Sequence, residues 1–225
     1  MPYHLDFETF SEVDLKKYGS FRYANDSSTE ILIFAICKDD GPVYAWSILD
    51  NYHGQNKTAL DMFRCACRSG EEIYAHNSMF EASICKYVLK RQFDIDPPDL
   101  SQWRCTQAMA RRAAIPSSLE AAGEFLKLDT EKDKTGKSLI KLFSQLDSKG
   151  ERTHPQQEPE KFHDFVKYCI TDVEVERKIG DLLEPLTLRG DILKSFQFDQ
   201  KMNDLGVPVN IKALKHVNNE INRYT

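Results

Sequence analysis

Four carboxylates and a tyrosine are of the types that could together build a divalent-metal site: Asp6 and Glu8, then Glu81, then Tyr168 and Asp172. In the run Tyr3-His4-Leu5-Asp6-Phe7-Glu8-Thr9, apolar and polar residues alternate with the period of two that a strand shows, so Asp6 and Glu8 share one face. Carboxylates held side by side raise each other's pKa unless a cation sits between them, and a divalent metal is the usual cation. The competing reading of a bare D-x-E is an edge strand with a solvated acidic face. Tyr168 and Asp172, four residues apart in a helical stretch, stack on one helix face. Taken alone, Tyr168 reads as an amphipathic residue at a core margin. Glu81 falls in the first turn of a helix that follows a short strand, so it can reach the strand end where open α/β sheets bind ligands, or simply complement the helix dipole.

The elements that must position these groups can be traced along the chain. Glu30 to Cys37 is an almost unbroken apolar run, as in a strand buried on both faces. Asp39-Asp40-Gly41-Pro42 turns it, and Val43 to Leu49 resumes as a strand, giving an antiparallel meander with the first strand. Val13 to Tyr18 reads as a short helical turn and Arg22 to Thr29 as loop. Thr58 to Arg68 has a helical stripe of Leu60, Phe63, Ala66 and Cys67, and Ile73 to His76 is a further strand. Asn77 or Ser78 is expected to cap the helix that runs on to Leu89. Gln102 to Thr106 reads as strand, followed by a helix through Met109 and Arg112. Ser117 or Ser118 caps another helix with Leu119, Ala122, Phe125 and Leu126 on one face. Asp129 to Gly136 is a charged loop, Lys149 to Pro159 a breaker-rich and mobile one, and Glu160 to Ile179 a long helix. Strands alternating with helices predict an α/β layered domain, a mixed sheet flanked by helices. A helical extension follows from about residue 191, with Asn210 capping Ile211 to Arg223.

The totals bound what the chain can be. At 225 residues and 41% hydrophobic content it can bury a full core. A net charge of -5 means that an anionic partner must meet a local basic patch. Lys132, Lys134 and Lys137 form such a run, which could also be a solvated face. Six cysteines without a C-x-x-C pair, with no signal peptide or long apolar run, predict a reduced, cytoplasmic protein with no membrane segment, and Cys65 and Cys67 read as buried free thiols.

Leu5-Asp6-Phe7-Glu8-Thr9, His76-Asn77-Ser78-Met79-Phe80-Glu81 and Tyr168-Cys169-Ile170-Thr171-Asp172-Val173 resemble the three motifs of the DEDD exonucleases, in the subclass with tyrosine four before the last aspartate. Leu15 to Glu30, Pro116 to Leu126 and Lys132 to Ile140 resemble the proofreading region of phage-type family-A DNA polymerases, so the resemblance covers nearly the whole chain. It implies a ribonuclease H-like fold over residues 1-190, with residues 191-225 similar to the start of a polymerase thumb. It also implies two Mg²⁺ or Mn²⁺ ions and 3′-to-5′ hydrolysis of DNA ends to nucleoside monophosphates, in a phage or bacterial host cytoplasm. On that resemblance Asp6 bridges both ions, Glu8 and Asp172 hold the ion that binds the nucleophile, Glu81 lies on the outer side, and Tyr168 orients water or phosphate. The second motif of the family ends in aspartate, where this chain has the longer Glu81. Single-stranded or frayed 3′ ends are the implied substrate, with a polymerase module in the same or a separate chain as partner. Stacking on Phe7, Phe10 or Phe80 would hold terminal bases, and Arg112, Lys132, Lys134 and Lys137 would follow the backbone. Asn77 would contact the terminal sugar or cap its helix. Two alternatives stand beside this reading: a 3′-to-5′ exoribonuclease, and a non-catalytic module that binds nucleic-acid ends.

Overall fold

The structure, a computed structural model, describes residues 1–49, 52–128 and 136–224. Lys132 and Lys134 therefore lie outside the described residues. The chain divides into two compact units, Met1–Gly190 and Asp191–Thr225.

The first unit is an α/β fold built on a mixed five-stranded sheet, compatible with a ribonuclease H-like arrangement. Its strands are β1 (Tyr3–Phe10), β2 (Glu30–Lys38), β3 (Tyr44–Ser47), β4 (Ile73–Ala75) and β5 (Trp103–Cys105), in the order β3-β2-β1-β4-β5. β1, β2 and β3 form the antiparallel meander that the sequence predicts, with Leu5 opposite Ile36 and Phe34 opposite Trp46. β4 and β5 then add in parallel to β1. The D-x-E strand is thus the centre of the sheet, and the edge-strand alternative falls away.

A central strand covered on both sides explains why the alternation in β1 does not separate core from solvent. Leu5 and Phe7 pack with Phe34 and Phe63 on one side of the sheet. Against the other side lies α8 (Pro159–Leu182), whose Phe162, Phe165, Val166, Cys169 and Val173 form a second core with Phe10, Leu32, Ile33 and Ala35. Apolar residues on both faces of β2 are what its unbroken apolar run requires.

The remaining helices are α1 (Leu15–Asn25), α2 (Asn56–Ser69), α3 (Ser78–Ile84), α4 (Lys90–Phe93), α5 (Thr106–Arg112), α6 (Leu119–Phe125) and α7 (Gly136–Phe143). In the second unit α9 (Gly190–Leu205) and α10 (Ile211–Tyr224) follow. A π-helical turn, Cys85–Leu89, joins α3 to α4. Asn210 caps α10, accepting from the Ala213 N–H at 3.0 Å. Among the described residues no helix is long and apolar enough to cross a membrane.

Several local expectations are corrected. Arg22 to Asn25 are helical, because Asp14 caps α1 through the Lys16 and Lys17 N–H groups and Gly19, at φ +77°, lets the chain kink and resume. Neither Asn77 nor Ser78 caps α3 with its side chain. Asn77 instead adopts a left-handed backbone (φ +74°), and its carbonyl accepts from the Phe80 N–H. Ser118 does cap α6, but Phe125 at its end is 59% exposed rather than on the buried face. The segment from Lys149 to Pro159 contains a 3-10 turn at Pro155–Gln157, and Arg152 in the same segment lies over the Phe10 ring and pairs with Glu30. Cys65 is exposed rather than buried, though every cysteine is a free thiol.

Side-chain amides close the β3 edge of the sheet. Gln55 Oε1 accepts from the Ala45 N–H at 3.0 Å. Asn56 accepts from the Ser47 N–H and donates to the Ser47 carbonyl, both at 3.0 Å.

Candidate metal centre

β1 runs past the end of its partner β4: the parallel pairing covers Tyr3 and His4, and the chain leaves β4 after Ala75 to begin α3. Asp6 and Glu8 therefore stand beyond the carboxyl end of β4, in the crevice that α3 enters. His76 holds that exit, with its ring nitrogens against Thr106 Oγ1 at 3.2 Å and the Ser117 carbonyl at 2.9 Å. Burial pushes its pKa down.

α8 brings Asp172 to the same place. One carboxylate oxygen from each of Asp6, Glu8 and Asp172 lies within 4.8 Å of the others. Glu8 is buried, while Asp6 and Asp172 keep part of their surface open. Glu81, from the first turn of α3, is 3% exposed, and its Oε2 has no hydrogen-bond partner.

Electrostatics mark this group as incomplete. Burial first, then the Asp172 carboxylate, pushes Asp6 well above the usual carboxylate range. Burial and the charges of Asp6, Asp172 and Glu81 do the same to Glu8, and burial and Asp6 to Glu81. Two short-range contacts oppose this at Asp6, the Cys169 thiol at 3.6 Å from Oδ2 and, more weakly, the Phe7 backbone N–H. An all-oxygen, all-anionic donor set of this kind fits a hard divalent cation, which would relieve the repulsion among Asp6, Glu8 and Asp172, whereas Glu81 lies outside that 4.8 Å group. Asp6, Glu8 and Asp172 could bind a metal.

Tyr168 stands one helical turn before Asp172 and hydrogen-bonds to it. Burial, with the charges of Asp172 and Glu8, drives its pKa up, so the phenol stays protonated and donates. Its ring stacks on Phe165 and lies against Gly136, the first residue of α7. A methyl group on Gly136 would come within 2.2 Å of Tyr168 Cε2.

A cavity of about 380 Å³ opens beside Glu8, lined among others by Thr9, Tyr23, Phe80, Ile140 and Leu146. Tyr23 and Thr9 are joined by a 2.9 Å hydrogen bond between their hydroxyls. Phe80, half-buried against Tyr23, faces this cavity. The other aromatic candidates are less open: Phe7 also lines the cavity but is only 4% exposed, and Phe10, 2% exposed, is packed in the core. Arg112 is away from the cluster, with Nη1 donating to the Leu186 and Thr187 carbonyls at 2.7 and 3.3 Å. Lys137 is exposed on α7 and paired with Glu120 at 2.7 Å. Asn77 is exposed at the start of α3.

Sequence reasoning missed three contributors: Cys169 beneath Asp6, Gly136 under Tyr168, and Glu176, whose carboxylate adds to the field on Asp6. Glu176 was within reach of spacing alone, since it follows Asp172 by the same four residues that separate Tyr168 from Asp172.

No family model matches the chain. The chain is 36% identical over 219 residues to a DNA polymerase of Bacillus phage SP02. That match covers 94% of this chain and 32% of the polymerase, so the chain spans about a third of the length of the curated relative it matches.

Proposed function

We propose that residues 1-190 form a divalent-metal-dependent 3′-to-5′ exonuclease of the DEDD superfamily, tyrosine subclass, acting on DNA ends as a proofreading unit. The observation that carries this reading is the Asp6, Glu8 and Asp172 cluster with the Tyr168 phenol bonded to one of its members. Similarity to a phage DNA polymerase supports DNA as the substrate. It also supports a polymerase module as the partner, in the same or a separate chain, with residues 191-225 as the beginning of a thumb-like segment.

Hydrolysis adds water across the terminal phosphodiester, breaking the P–O3′ bond to leave a new 3′-hydroxyl and a nucleoside 5′-monophosphate. Asp6, Glu8 and Asp172 would hold Mg²⁺ or Mn²⁺, with Glu81 on the α3 side of the pair. When bound, two such ions lower the pKa of water and stabilise the leaving oxygen. The chain supplies the geometry: β1 fixes two carboxylates on one strand face, and α8 fixes the third opposite them. Tyr168 donates its one phenolic proton to Asp172 and orients the attacking water through its oxygen, since its protonated phenol is unsuited to take a proton. The cavity between Glu8 and Phe80 is of the size that takes a nucleoside, at the lower end of roughly 300–1,000 Å³.

The direct test is digestion of a 5′-labelled single-stranded DNA, and its RNA counterpart, with Mg²⁺, Mn²⁺ or EDTA. A metal-dependent ladder shortening from the DNA 3′ end is expected, and its absence in Asp172→Ala. Persistent cleavage by that variant, or a preference for RNA, would displace this reading. Tyr168→Phe should lower kcat by about 10–100-fold while Mn²⁺ affinity stays at the wild-type value. A rate equal to wild type would remove Tyr168 from the mechanism.

A further inference from the structure

β1 and α8 meet along more than the metal cluster. Two residues of strand advance by roughly 6.6–6.8 Å and four residues of helix by about 6.0 Å, so the two repeats run nearly in step. Glu8, Asp6 and His4 descend one face of β1, while Tyr168, Asp172 and Glu176 ascend one face of α8. Tyr168 feels the Glu8 charge, Asp6 feels Asp172, and His4 Nδ1 meets Glu176 Oε2 at 2.7 Å. The third rung is thus closed by the protein itself.

That third rung is costly. His4 is 3% and Glu176 2% exposed, and the second Glu176 oxygen, Oε1, is buried without a partner. Apolar side chains of similar volume often replace such a buried pair with no loss of stability, so stability alone is a weak reason for it. Fixing register is a stronger one: sliding or rotating α8 against β1 would break this contact and, with it, the opposition of Asp172 to Asp6.

We infer that the His4–Glu176 pair is a positioning element for the metal site, locking α8 to β1 so that the three carboxylates converge. This rests on the metal-dependent reading given above. His4 and Glu176 are positioning residues: they act through Asp6 and Asp172.

The test uses the whole chain and two readouts, Mn²⁺ affinity by calorimetry and kcat and KM on a 5′-labelled single strand. Replacing both residues by apolar ones, His4→Leu with Glu176→Met, is expected to leave the melting temperature at or above wild type. The same variant should weaken Mn²⁺ binding about tenfold and lower kcat with KM for DNA unchanged, the scale at which groups behind metal ligands act. Glu176→Ala should weaken Mn²⁺ binding likewise, and Glu176→Gln, which keeps an acceptor for Nδ1, should recover most of that loss. Wild-type Mn²⁺ affinity in both the double variant and Glu176→Ala would overturn the inference. Should the double variant fail to fold, Glu176→Ala against Glu176→Gln decides alone: equal affinities reject the pair's role. Failure of the wild-type chain to bind Mn²⁺ at all would instead reject the metal-dependent reading on which this one stands.

Discussion

Asp6→Asn is expected to abolish metal-dependent cleavage and, in metal-free buffer at neutral pH, to make the protein more stable. Asp6 sits in a group whose members are desolvated and surrounded by like charge, so its ionised form is strained when the chain is folded and relaxed when it is not. Neutral asparagine keeps the shape and an acceptor for the Cys169 thiol. Removing one such conflict should contribute about 1–2 kcal/mol, or about 2–8 °C in melting temperature for a chain of this size. The sign of the pH dependence follows from the same cause. Asp6, Glu8 and Glu81 have folded pKa values above the usual ones, so from about pH 4 upwards the folded state holds more protons than the unfolded state. The metal-free wild type must then lose stability as pH rises through the folded pKa values. Asp6→Asn should show a shallower fall, and Mg²⁺ should stabilise wild type most at the high-pH end. Thermal melts from pH 5 to 8, with and without Mg²⁺, measure all of this. A variant less stable than wild type throughout would mean that the carboxylates are already compensated within the chain.

The second large effect is expected at a residue with no chemistry of its own. Gly136→Ala puts a methyl group 2.2 to 2.8 Å from three carbons of the Tyr168 ring. No contact of that length is tolerable, so either the ring swings from Asp172 or α7 lifts from α8, and Phe165 stacked behind the ring blocks a small adjustment. Overpacking of this kind costs about 1–3 kcal/mol in stability. Activity should fall at least about tenfold, because the phenol loses its alignment on Asp172. A double-mutant cycle identifies the cause: in a Tyr168→Ala background, where the ring is gone, Gly136→Ala should cost nothing further. Additive losses would place the effect of Gly136 elsewhere than on Tyr168.

What the sequence made legible was what has a short period. The alternation through β1 put Asp6 and Glu8 on one face, and a four-residue spacing put Tyr168 and Asp172 on another. The meander of β1 to β3 followed from apolar runs and the Asp39 to Pro42 turn. Illegible features were those that depend on what lies across the sheet. Phe7 and Phe10 look like stacking platforms when β1 is taken alone, yet a central strand is covered on both sides and both rings are spent on the core. Arg112 looks like a free cation until the Leu186 and Thr187 carbonyls fold back onto it. The His4–Glu176 contact joins residues 172 positions apart, and no local pattern encodes that pairing.

The amides that cover the β3 edge bear on how this unit can meet other molecules. A bare edge strand recruits further strands from other chains, productively in peptide recognition and destructively in aggregation. Here Gln55 and Asn56 already occupy the Ala45 and Ser47 N–H groups and the Ser47 carbonyl, imitating with two side chains the strand that would otherwise be invited in. Strand addition at that edge would have to break these bonds before making its own. Association through helical or loop surfaces breaks no such bonds, so the first unit can share a complex without lending its β3 edge to it.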